Sequence, residues 1–568
     1  MPLVDQLAHA RSDDNFFISA VRALTSGDVE LALQQAKQLI QRDSGDPYAL
    51  VLAADCFNSY GKEEEGLGLI RAAVSASGSA AVFSLLHSQQ LLRLKRHDQS
   101  LDCLNKARLL HPSHSGLLWM QFELLCSLNK DAEAQDLVDS ERSQLVSHSG
   151  FYPLVIALYR RVGEHQKALV EAQQWCQKVT SGESLKALAD CWFSVGCHDQ
   201  YVSSMIEAAN CSDQDPNLLA LSLQAQLDAS SEAIPAVLSE IEALIGCDSI
   251  DPGLALVCSR VLLAHSDFSR GWKLYERRLM LSPSGLYAPV ETVSDPLCSL
   301  EGQTVLLVAE QGVGDVIFFA RFIPQLLAEA HQVIFLVDER LSALFKRCCP
   351  DIVVATSLRL AQQLAGDGHM CLAIGSLPLR YASTPQLVYS SQQCPVFEPH
   401  PMLKRAWASS FSAASFNVGL SLTAGLQLGS YKTLKRSVPV SVVERAIVDS
   451  FALIHDLRHF RPVELALPNV VSYDQLTDDM EQLIAFISCL DILVTSDQTN
   501  AFLAGMLDIP TLLIAPPNPH FAFMAEGDST PWFSSLTIVR SQKWRCWDEV
   551  VGEFEGRFRV LLNPVVRG

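Results

Sequence analysis

The segment AEQGVGDVIFFARF, residues 309–322, places an aspartate directly after a glycine-rich turn. Gly312 and Gly314 let the chain turn sharply off a strand and bring backbone N–H groups near a ligand. Asp315 then opens a helix at the carboxyl end of the sheet, the edge where open α/β folds bind ligands. The third glycine of a dinucleotide fingerprint is missing, which disfavours a nicotinamide cofactor. The pattern makes Asp315 a candidate catalytic carboxylate, with a structural helix N-cap as the alternative.

A second candidate lies in DILVTSDQTNAFLAGMLDIPTLLIA, residues 491–515. A strand runs into Asp497 and Gln498, and a helix of small residues follows. The free N–H groups at the start of that helix, with the Thr499 hydroxyl and the Asn500 amide, could hold a phosphate. An ordinary transition from strand to cap to helix explains the same residues equally well.

The third candidate is the basic run YKTLKRS, residues 431–437, just after the strand FNVGLSL. Lys435, Arg436 and Ser437 can neutralise a monophosphate or a diphosphate. A solvated loop is the more frequent meaning of several neighbouring cations.

Composition indicates a packed protein of several domains. The chain has 568 residues, of which 49% are hydrophobic and 19% are charged. Its net charge of −20, from 43 basic and 63 acidic residues, argues against a general nucleic-acid binder. Sixteen scattered cysteines without a C-x-x-C pair predict free thiols in a reducing compartment. With no apolar leader and no apolar run of 18 residues, we expect a cytoplasmic protein that does not span a membrane.

An internal repeat of 34 residues organises the first half of the chain. Its key positions carry small residues in all but one case: Ala32, Gly66, Ser100, Ala134, Ala168, Val202, Ala236 and, after a one-residue slip, Gly271. Five residues before four of these positions lie residues that favour a left-handed turn: Gly27, Gly61, Asn129 and Gly163. The pattern predicts stacked antiparallel helix pairs over residues 1–280, with small residues where paired helices cross.

The second half alternates short apolar runs with helical stretches. Residues 281–303 have no periodicity and are predicted to be a linker. Beyond them, runs such as TVLLVAE, VIFLV, DILVTS and TLLIA predict buried strands of parallel sheets covered on both faces. We expect two sheets facing each other across a cleft, one in residues 304–400 and one in residues 401–568.

Taken in order, the motifs resemble a known arrangement. They are DFSRGWKLYERRL, AEQGVGDVIFFARFIPQL, SLPLR, GLS followed by KRS, SDQTNAFLAGMLDIPTLLI and DSTPWFSSLTIVRSQKW. This order is similar to that of bacterial tetratricopeptide-repeat glycosyltransferases, whose C-terminal domains resemble heptosyltransferases and, more distantly, protein O-GlcNAc transferases. The resemblance implies an α-solenoid of tetratricopeptide repeats followed by an α/β GT-B domain made of two Rossmann-like lobes.

The same resemblance implies roles for individual residues. Asp315 matches the general base, which takes a proton from an acceptor hydroxyl, and the turn at Gly312 and Gly314 shapes the cleft. A nucleotide sugar would bind the C-terminal lobe, with no metal and no further cofactor. The donor-binding set comprises Asp497, Gln498, Thr499 and Asn500, and the residues near the leaving phosphate are Lys435, Arg436 and Ser437.

The sequence departs from the family pattern D-T-x-x-x-H-L-A-G at two positions. Gln498 replaces the threonine, and Phe502 replaces the histidine. The change implies either reduced activity or a donor other than the usual uridine diphosphate sugars. Similar flagellin-modifying enzymes use nonulosonic acids carried on cytidine monophosphate, which present a single phosphate.

These expectations combine into a predicted function. The chain is expected to transfer a sugar from a CMP- or UDP-linked donor to Ser or Thr hydroxyls of a protein, most plausibly flagellin. The acceptor would dock on the concave surface of the repeats. Two alternatives stay open: a non-catalytic repeat scaffold with a degenerate transferase domain, and a transferase acting on lipopolysaccharide or another glycan.

Overall fold

The computed structural model of the chain contains two compact units. It describes residue 11 and residues 14–562, apart from 213–214, 246–249, 282–293, 392–396, 412–414, 424–434, 451, 459–466 and 474–475. The first unit comprises Met1–Thr180 and Asp190–Val195, and the second comprises Ser181–Ala189 and Gly196–Gly568.

The first unit is built from helices that pack in sequence order. They are α1 (Asn15–Thr25), α2 (Val29–Arg42), α3 (Pro47–Ser59), α4 (Glu63–Ala76), α5 (Ala81–Arg93), α6 (His97–Leu110), α7 (Ser115–Ser127), α8 (Asp131–Leu145), α9 (Phe151–Arg161) and α10 (His165–Lys178). Each helix packs on the next, and α1 also meets α3, α5 meets α7, and α7 meets α9. This stacking of successive helix pairs confirms the predicted tetratricopeptide-like repeats in this unit.

The small residues of the repeat lie where paired helices come closest. Ala32, Ala134 and Ala168 are fully buried. A Cβ on Gly66 would lie 2.6 Å from the side-chain oxygen of Asn58 and 3.1 Å from the carbonyl oxygen of Ala54, so a larger residue would force these groups to shift. Close approach therefore explains the 34-residue spacing of small residues in this unit.

The predicted period fades beyond the first unit. Val202 is half-buried and Ala236 is exposed, so neither position lies at a tight helix crossing. Gly271 is again a contact position, since a Cβ there would lie 2.7 Å from Leu263. The register inferred by counting 34 residues is therefore wrong at Val202 and Ala236, because the later helices no longer repeat with a constant length.

The turns between paired helices use the left-handed region. Gly27, Gly61 and Gly163 have φ values of +90°, +70° and +83°. Asn129 has a φ of +55°, and Lys95 and Ser266, which stand at turn positions without glycine or asparagine, have φ values of +57° and +66°. The turn geometry therefore persists in repeats whose sequences do not favour it.

Further helices open the second unit and continue to Met280. They are α11 (Gly182–Ser194), which is divided between the units, α12 (His198–Asn210), α13 (Pro216–Ala229), α14 (Ile234–Ile245), α15 (Pro252–Ala264) and α16 (Phe268–Tyr275), followed by a 3-10 turn at Glu276–Met280. The predicted helical region thus ends at residue 280, whereas the border between compact units lies about a hundred residues earlier.

Two parallel sheets form the rest of the second unit, which confirms the predicted parallel-sheet architecture. The strands are β1 (Thr304–Val308), β2 (Gln332–Leu336), β3 (Ile352–Ala355), β4 (Met370–Ala373), β5 (Asn417–Ser421), β6 (Leu453–Asp456), β7 (Val470–Ser472), β8 (Ile492–Ser496), β9 (Thr511–Ala515) and β10 (Leu536–Arg540). Their orders are β3-β2-β1-β4 and β10-β9-β8-β5-β6-β7. The second order is that of doubly wound sheets, whose ligands bind where the winding direction reverses, here between β5 and β8.

Helices alternate with these strands. They are α17 (Val313–Phe319), α18 (Ile323–Glu329), α19 (Glu339–Cys348), α20 (Leu358–Ala365), α21 (Leu377–Tyr381), α22 (Pro385–Ser391), α23 (Pro401–Ser410), α24 (Glu444–Ser450), α25 (Met480–Ile487), α26 (Thr499–Met506) and α27 (Asp548–Leu562). The helical stretch expected after β1 is divided into α17 and α18 by a 3-10 turn at Ala320–Phe322. Pro324 follows that turn at the start of α18, where its missing N–H costs no hydrogen bond.

The predicted linker is only partly described. Residues 282–293 lie outside the described residues. Ser294 donates its N–H to the Cys371 carbonyl of β4 (2.7 Å), and Leu300 is buried in the core. Residues 294–303 are therefore part of the α/β fold, because their apolar and backbone groups find partners on the first sheet.

Candidate functional site

One pocket of the second unit gathers four of the ten predicted site residues: Asp315, Lys435, Arg436 and Asp497. It has a volume of about 100 Å³. Asp315 lines it from the first sheet, Arg436, Asp497 and His520 from the second, and Arg260 from helix α15. The site therefore draws on three parts of the unit that are far apart in sequence.

Asp315 is the third residue of α17 and does not cap it. The N-cap is Gly312, and no side chain makes a capping hydrogen bond there, so the N-cap alternative is wrong. Asp315 Oδ1 accepts a hydrogen bond from His520 Nε2 at 3.1 Å. Its Oδ2 makes no hydrogen bond with the described residues, and the side chain is 29% exposed. A carboxylate oxygen is thus available at the pocket.

His520 is engaged at three atoms. Its backbone N–H donates to Asp497 Oδ2 at 2.7 Å. Ring atom Nδ1 accepts from the Ala522 N–H at 3.2 Å, which assigns the ring proton to Nε2. That proton is the one donated to Asp315. Both ring nitrogens are therefore occupied, and the imidazole has no free basic atom.

The surroundings of Asp315 favour its ionised form. Burial by itself raises the pKa of this carboxyl, but the hydrogen bond from His520 and the positive charges of Arg260 and Arg436 outweigh burial and lower the pKa. Burial also raises the pKa of the neighbouring Tyr275 hydroxyl, and the negative charge of Asp315 raises it further. The pocket thus holds an ionised carboxylate beside a protonated phenol.

Asp497 has one satisfied and one unsatisfied oxygen. Asp497 is 1% exposed and directly follows β8 in the sequence. Oδ2 accepts from the His520 backbone, while Oδ1 is buried without a hydrogen-bond partner among the described residues. A buried carboxylate oxygen without a donor is costly, so a hydroxyl or amide of a bound ligand would relieve it.

The predicted basic residues differ in whether their charge is already paired with an acidic side chain. Lys435 Nζ lies 2.7 Å from Asp228 Oδ1, an oxygen that also accepts from the amides of Asn518 and Gln224. Arg436, by contrast, lines the pocket without an ion pair to the described residues. The anion contact predicted for Lys435 is therefore weakened by Asp228, and Arg436 keeps its full charge for a ligand.

Two of the predicted donor-binding amides are used inside the sheet. Gln498 Nε2 donates to the Ser421 carbonyl at the end of β5. Asn500 Nδ2 donates to Ser421 Oγ at 2.8 Å. Thr499, the first residue of α26, keeps a half-buried hydroxyl, and Ser437 is half-buried after Arg436. The reversal point between β5 and β8 is thus closed by side chains that the sequence analysis assigned to the donor.

Neither glycine of the turn needs an unusual backbone, and only Gly314 lies at a close contact. Gly312 has a φ of −65°, which any residue adopts, and Gly314 lies inside α17. A Cβ on Gly314 would lie 3.1 Å from Thr499 Oγ1 and 3.4 Å from the Phe502 ring. The expected role of these glycines in a sharp turn is therefore replaced by the close approach of two helix starts, α17 and α26.

The glutamate of the EQG motif positions the turn. Glu310 Oε1 accepts two hydrogen bonds from Arg278, at 2.7 and 3.1 Å, and one from the Gly375 N–H at 3.2 Å. Arg278 also donates to Ser376 Oγ at 3.0 Å. The end of β1 is thereby tied to the end of β4 and to the last helical turn before the sheets.

Sequence reasoning missed His520, Arg260 and Asp228. His520 lies in PPNPH after β9, and a histidine in a proline-rich turn beside β8 is a usable signal. Arg260 lies in a repeat-like helix, and nothing in its local sequence distinguishes it from other exposed arginines. Only the tertiary structure brings these residues to Asp315.

The described part of the chain shows neither a metal site nor a membrane-spanning helix. No cluster of three His, Cys, Asp or Glu side chains suited to a metal ion occurs there. No helix among the described residues has the length and apolar character needed to cross a membrane.

The fold defines a protein with a tetratricopeptide-like helical unit and an α/β unit of parallel sheets. No protein-family model matches the chain. A stretch of 139 residues is 30% identical to Protein FlbA of Caulobacter vibrioides (strain ATCC 19089 / CIP 103742 / CB 15), covering 23% of this chain and 23% of that protein. The chain therefore spans less than a quarter of the relative that it matches.

Two solved structures are similar to part of the chain. A tetratricopeptide repeat protein from Parabacteroides merdae ATCC 43184 is 12% identical, with a TM-score of 0.31, and the match covers 47% of this chain and 91% of that one. Pseudomonas aeruginosa pilF is 15% identical, with a TM-score of 0.30 and coverage of 36% and 92%. The repeat architecture is shown by the packing of successive helix pairs in the first unit.

Proposed function

We propose that this chain is a glycosyltransferase that moves a sugar from a nucleotide-sugar donor to a Ser or Thr hydroxyl of a protein. The observation that carries the proposal is one pocket that holds the ionised Asp315 beside the guanidinium groups of Arg260 and Arg436. Among the described residues, Asp315 Oδ2 has no hydrogen-bond partner and neither arginine has an ion-pair partner. A GT-B arrangement of the two sheets belongs to the same proposal, since parallel sheets bind ligands at the carboxyl ends of their strands.

Asp315 is suited to act as the general base. Its Oδ2 takes the proton of the acceptor hydroxyl while the hydroxyl oxygen attacks the anomeric carbon of the donor. As the new C–O bond forms, the bond from the anomeric carbon to the phosphate oxygen breaks, and its electron pair leaves with the nucleotide. His520 does not compete for this role, because both of its ring nitrogens are engaged.

Positive charge must stabilise the departing phosphate. Arg436 and Arg260 line the pocket and have no ion-pair partner among the described residues. Helix α26 begins at Thr499, two residues after the pocket residue Asp497, without a capping side chain, so its start adds a partial positive charge. These groups support a phosphate-bearing leaving group, whereas Lys435 contributes less because it is bound to Asp228.

The donor is proposed to be a CMP- or UDP-linked sugar, with the buried Asp497 Oδ1 accepting a hydrogen bond from it. Of these two donors, the departures from the family pattern favour the CMP-linked sugar. Gln498 is bonded to the β5 carbonyl of Ser421, and Phe502 is buried among aromatic rings. Neither side chain is therefore available to contact the donor.

The protein acceptor is proposed to dock on the concave surface of the repeats, and flagellin is the acceptor to test first. Stacked helix pairs of this kind present an extended surface to a peptide or protein. The first unit supplies such a stack from α1 to α10. The resemblance to flagellin-modifying transferases selects the acceptor.

The test is the intact mass of flagellin coexpressed with the full chain in cells that make the candidate sugar nucleotides. Wild type is expected to add a sugar mass, and Asp315→Asn, which removes the basic oxygen without changing shape, is expected to slow transfer by about 10²- to 10⁴-fold. The matched control is Asp351→Asn, at an exposed turn of the same unit. This variant is expected to transfer like wild type.

Other outcomes would select the alternatives. A flagellin mass that changes with neither wild type nor Asp315→Asn, together with no stabilisation by CMP- or UDP-sugars in thermal shift, would favour a non-catalytic scaffold. Stabilisation by a donor without a change in flagellin would point instead to a glycan acceptor. A ligand present at 100 times its dissociation constant adds roughly 2.7 kcal/mol of stability, which such a screen detects.

A further inference from the structure

We propose that His520 is a positioning residue of this transfer, holding the carboxylates of Asp315 and Asp497 in one fixed arrangement. The inference rests on the proposed function and names a residue that the family resemblance does not assign.

The geometry links two carboxylates from different sheets through one residue. The ring donates to Asp315, 205 residues away in sequence, at 3.1 Å. The backbone N–H of the same residue donates to Asp497, 23 residues away, at 2.7 Å. A displacement of His520 therefore moves or releases the proposed base and the proposed donor contact together.

The tautomer of His520 determines which hydrogen bonds its ring can make. Because the Ala522 N–H occupies Nδ1, the proton must be on Nε2, and the neutral ring can only donate to Asp315. This hydrogen bond engages Oδ1 and leaves Oδ2 for the acceptor hydroxyl. His520 thus orients the carboxylate and stabilises its ionised form without exchanging a proton with substrate.

Aromatic packing holds the ring in place. The His520 ring centroid lies 4.0 Å from that of Phe521 and 5.2 Å from that of Phe502, which meets it edge-on at 83°. Phe502 itself stacks on Phe523 at 4.9 Å. Phe502 is the position at which the resembled family has histidine. The replacement therefore forms an apolar wall behind His520.

Other charged and titratable groups also face Asp315. Arg260 of α15, Tyr275 of α16 and Arg436 of the second sheet line the same pocket, as does Lys435 beside Asp228. These groups stay in place in a His520 variant. A change in the acid limb of the pH profile on replacing His520 alone is therefore attributable to the lost hydrogen bond.

Two substitutions separate packing from hydrogen bonding. His520→Phe keeps an aromatic ring beside Phe502 and Phe521 but removes both ring hydrogen bonds. His520→Gln keeps a side-chain N–H with similar reach, so it can still donate to Asp315. The matched control is His331→Phe, at an exposed position after α18.

The kinetic test measures transfer to purified flagellin with the CMP- or UDP-sugar that stabilises the full-length protein. In His520→Phe we expect kcat to fall by at least about tenfold, since small misplacements of a catalytic group are costly, with the acceptor KM within about twofold. The acid limb should move to higher pH. His520→Gln should recover most of kcat and restore the limb, and His331→Phe should match wild type. Equal profiles for all variants would overturn the proposal.

A second measurement does not depend on transfer. Aspartate labelled with ¹³C at the side-chain carboxyl reports the ionisation of Asp315, whose signal is identified by its loss in Asp315→Asn. The pKa of Asp315 should be higher in His520→Phe than in wild type, and unchanged in His520→Gln. If the pKa of Asp315 were the same in His520→Phe and in wild type, the proposed hydrogen bond would be wrong. A raised pKa in a protein that transfers no sugar would overturn the transferase assignment while keeping the contact.

Discussion

In the first unit, ion pairs join residues about one repeat apart, whereas the contacts that build the pocket of the second unit span most of its length. Arg108 bonds Glu141, 33 residues away, and Arg142 bonds Glu171, 29 residues away. In the second unit, Asn518 bonds Asp228 across 290 residues. The first unit is therefore stabilised by contacts between adjacent repeats, and the second by contacts between segments that are far apart in the sequence.

This difference has an energetic meaning. In a stack of repeats, each pair contributes its own stability and an interface with the next, so damage stays local. In the second unit, Arg321 donates to the Trp532 carbonyl at 2.9 Å, and Trp272 donates to the Ala382 carbonyl at 3.1 Å. Contacts of such long range form only when the unit folds as a whole, so damage there is expected to spread.

The largest predicted effect tests whether a cavity in the core destabilises the whole second unit. Trp272 is fully buried and meets Phe319, Phe521 and Trp532 edge-on. Trp272→Ala should lower the free energy of unfolding of the second unit by about 3–5 kcal/mol, because a large cavity is left. Hydrogen exchange with mass spectrometry should show loss of protection over both sheets.

The matched variant in the first unit is Trp119→Ala. Trp119 is half-buried and stacks on His148 at 4.8 Å. Exchange should increase only in α7 and the helices next to it. If Trp119→Ala also removed protection from α1 to α4, the contrast between local and global stability would be wrong.

A second prediction concerns acid and the second sheet. His455 is buried, accepts a hydrogen bond from the Tyr473 hydroxyl at 2.7 Å and donates to Asn417 at 3.2 Å. Burial lowers its pKa from 6.5 to about 4, so the unfolded chain binds the proton more readily. The contribution of neutral His455 is complete above pH 6.5 and is lost as pH falls towards 4, at a cost of up to about 3 kcal/mol.

Urea unfolding of the second unit between pH 7.5 and pH 4.5 measures this loss. His455→Gln should show a shallower dependence on pH, because the titrating ring is gone. His331→Gln, at an exposed site, should keep the wild-type dependence. An unchanged slope in His455→Gln would assign the acid sensitivity to other groups.

The smallest predicted effect is a gain in the first unit. Lys95 has a φ of +57°, where a side chain is strained and glycine is not. Lys95→Gly should stabilise α5 and α6 by about 1 kcal/mol, measured as slower local hydrogen exchange. Lys37→Gly is the control: Lys37 is an exposed residue inside α2, where glycine should destabilise the helix by about 1 kcal/mol. A gain limited to Lys95 would show that the turn geometry is imposed by packing.

The repeat and the strands could be predicted because their signals are local. The run TLLIA matches β9 at both ends, and Ala32, Ala134 and Ala168 are buried as their spacing implied. The same reasoning failed at Val202 and Ala236, where counting continued after the repeat length had changed. A period predicts contacts only while each unit keeps its length.

The site could be predicted only in part. Asp315 and Asp497 follow their strands, so both lie at the carboxyl edges of the sheets, as the sequence indicated. The sequence did not indicate which neighbouring side chains are free to bind a ligand. Lys435 is bound to Asp228 of a helix about two hundred residues earlier, and Gln498 is bonded to the end of β5. No local pattern marks either partner.

The sequence by itself determined the repeat geometry, the parallel strands and the edge of the sheet at which the carboxylates lie. These features follow from side-chain periodicity and turn chemistry, which act over a few residues. The tertiary structure alone decided that His520 meets Asp315, that Phe502 packs behind it, and that Lys435 pairs with Asp228 while Arg436 has no ion pair with the residues that the structure describes. These contacts depend on how distant segments are brought together, because a side chain's charge and hydrogen bonds are set by its nearest neighbours in space.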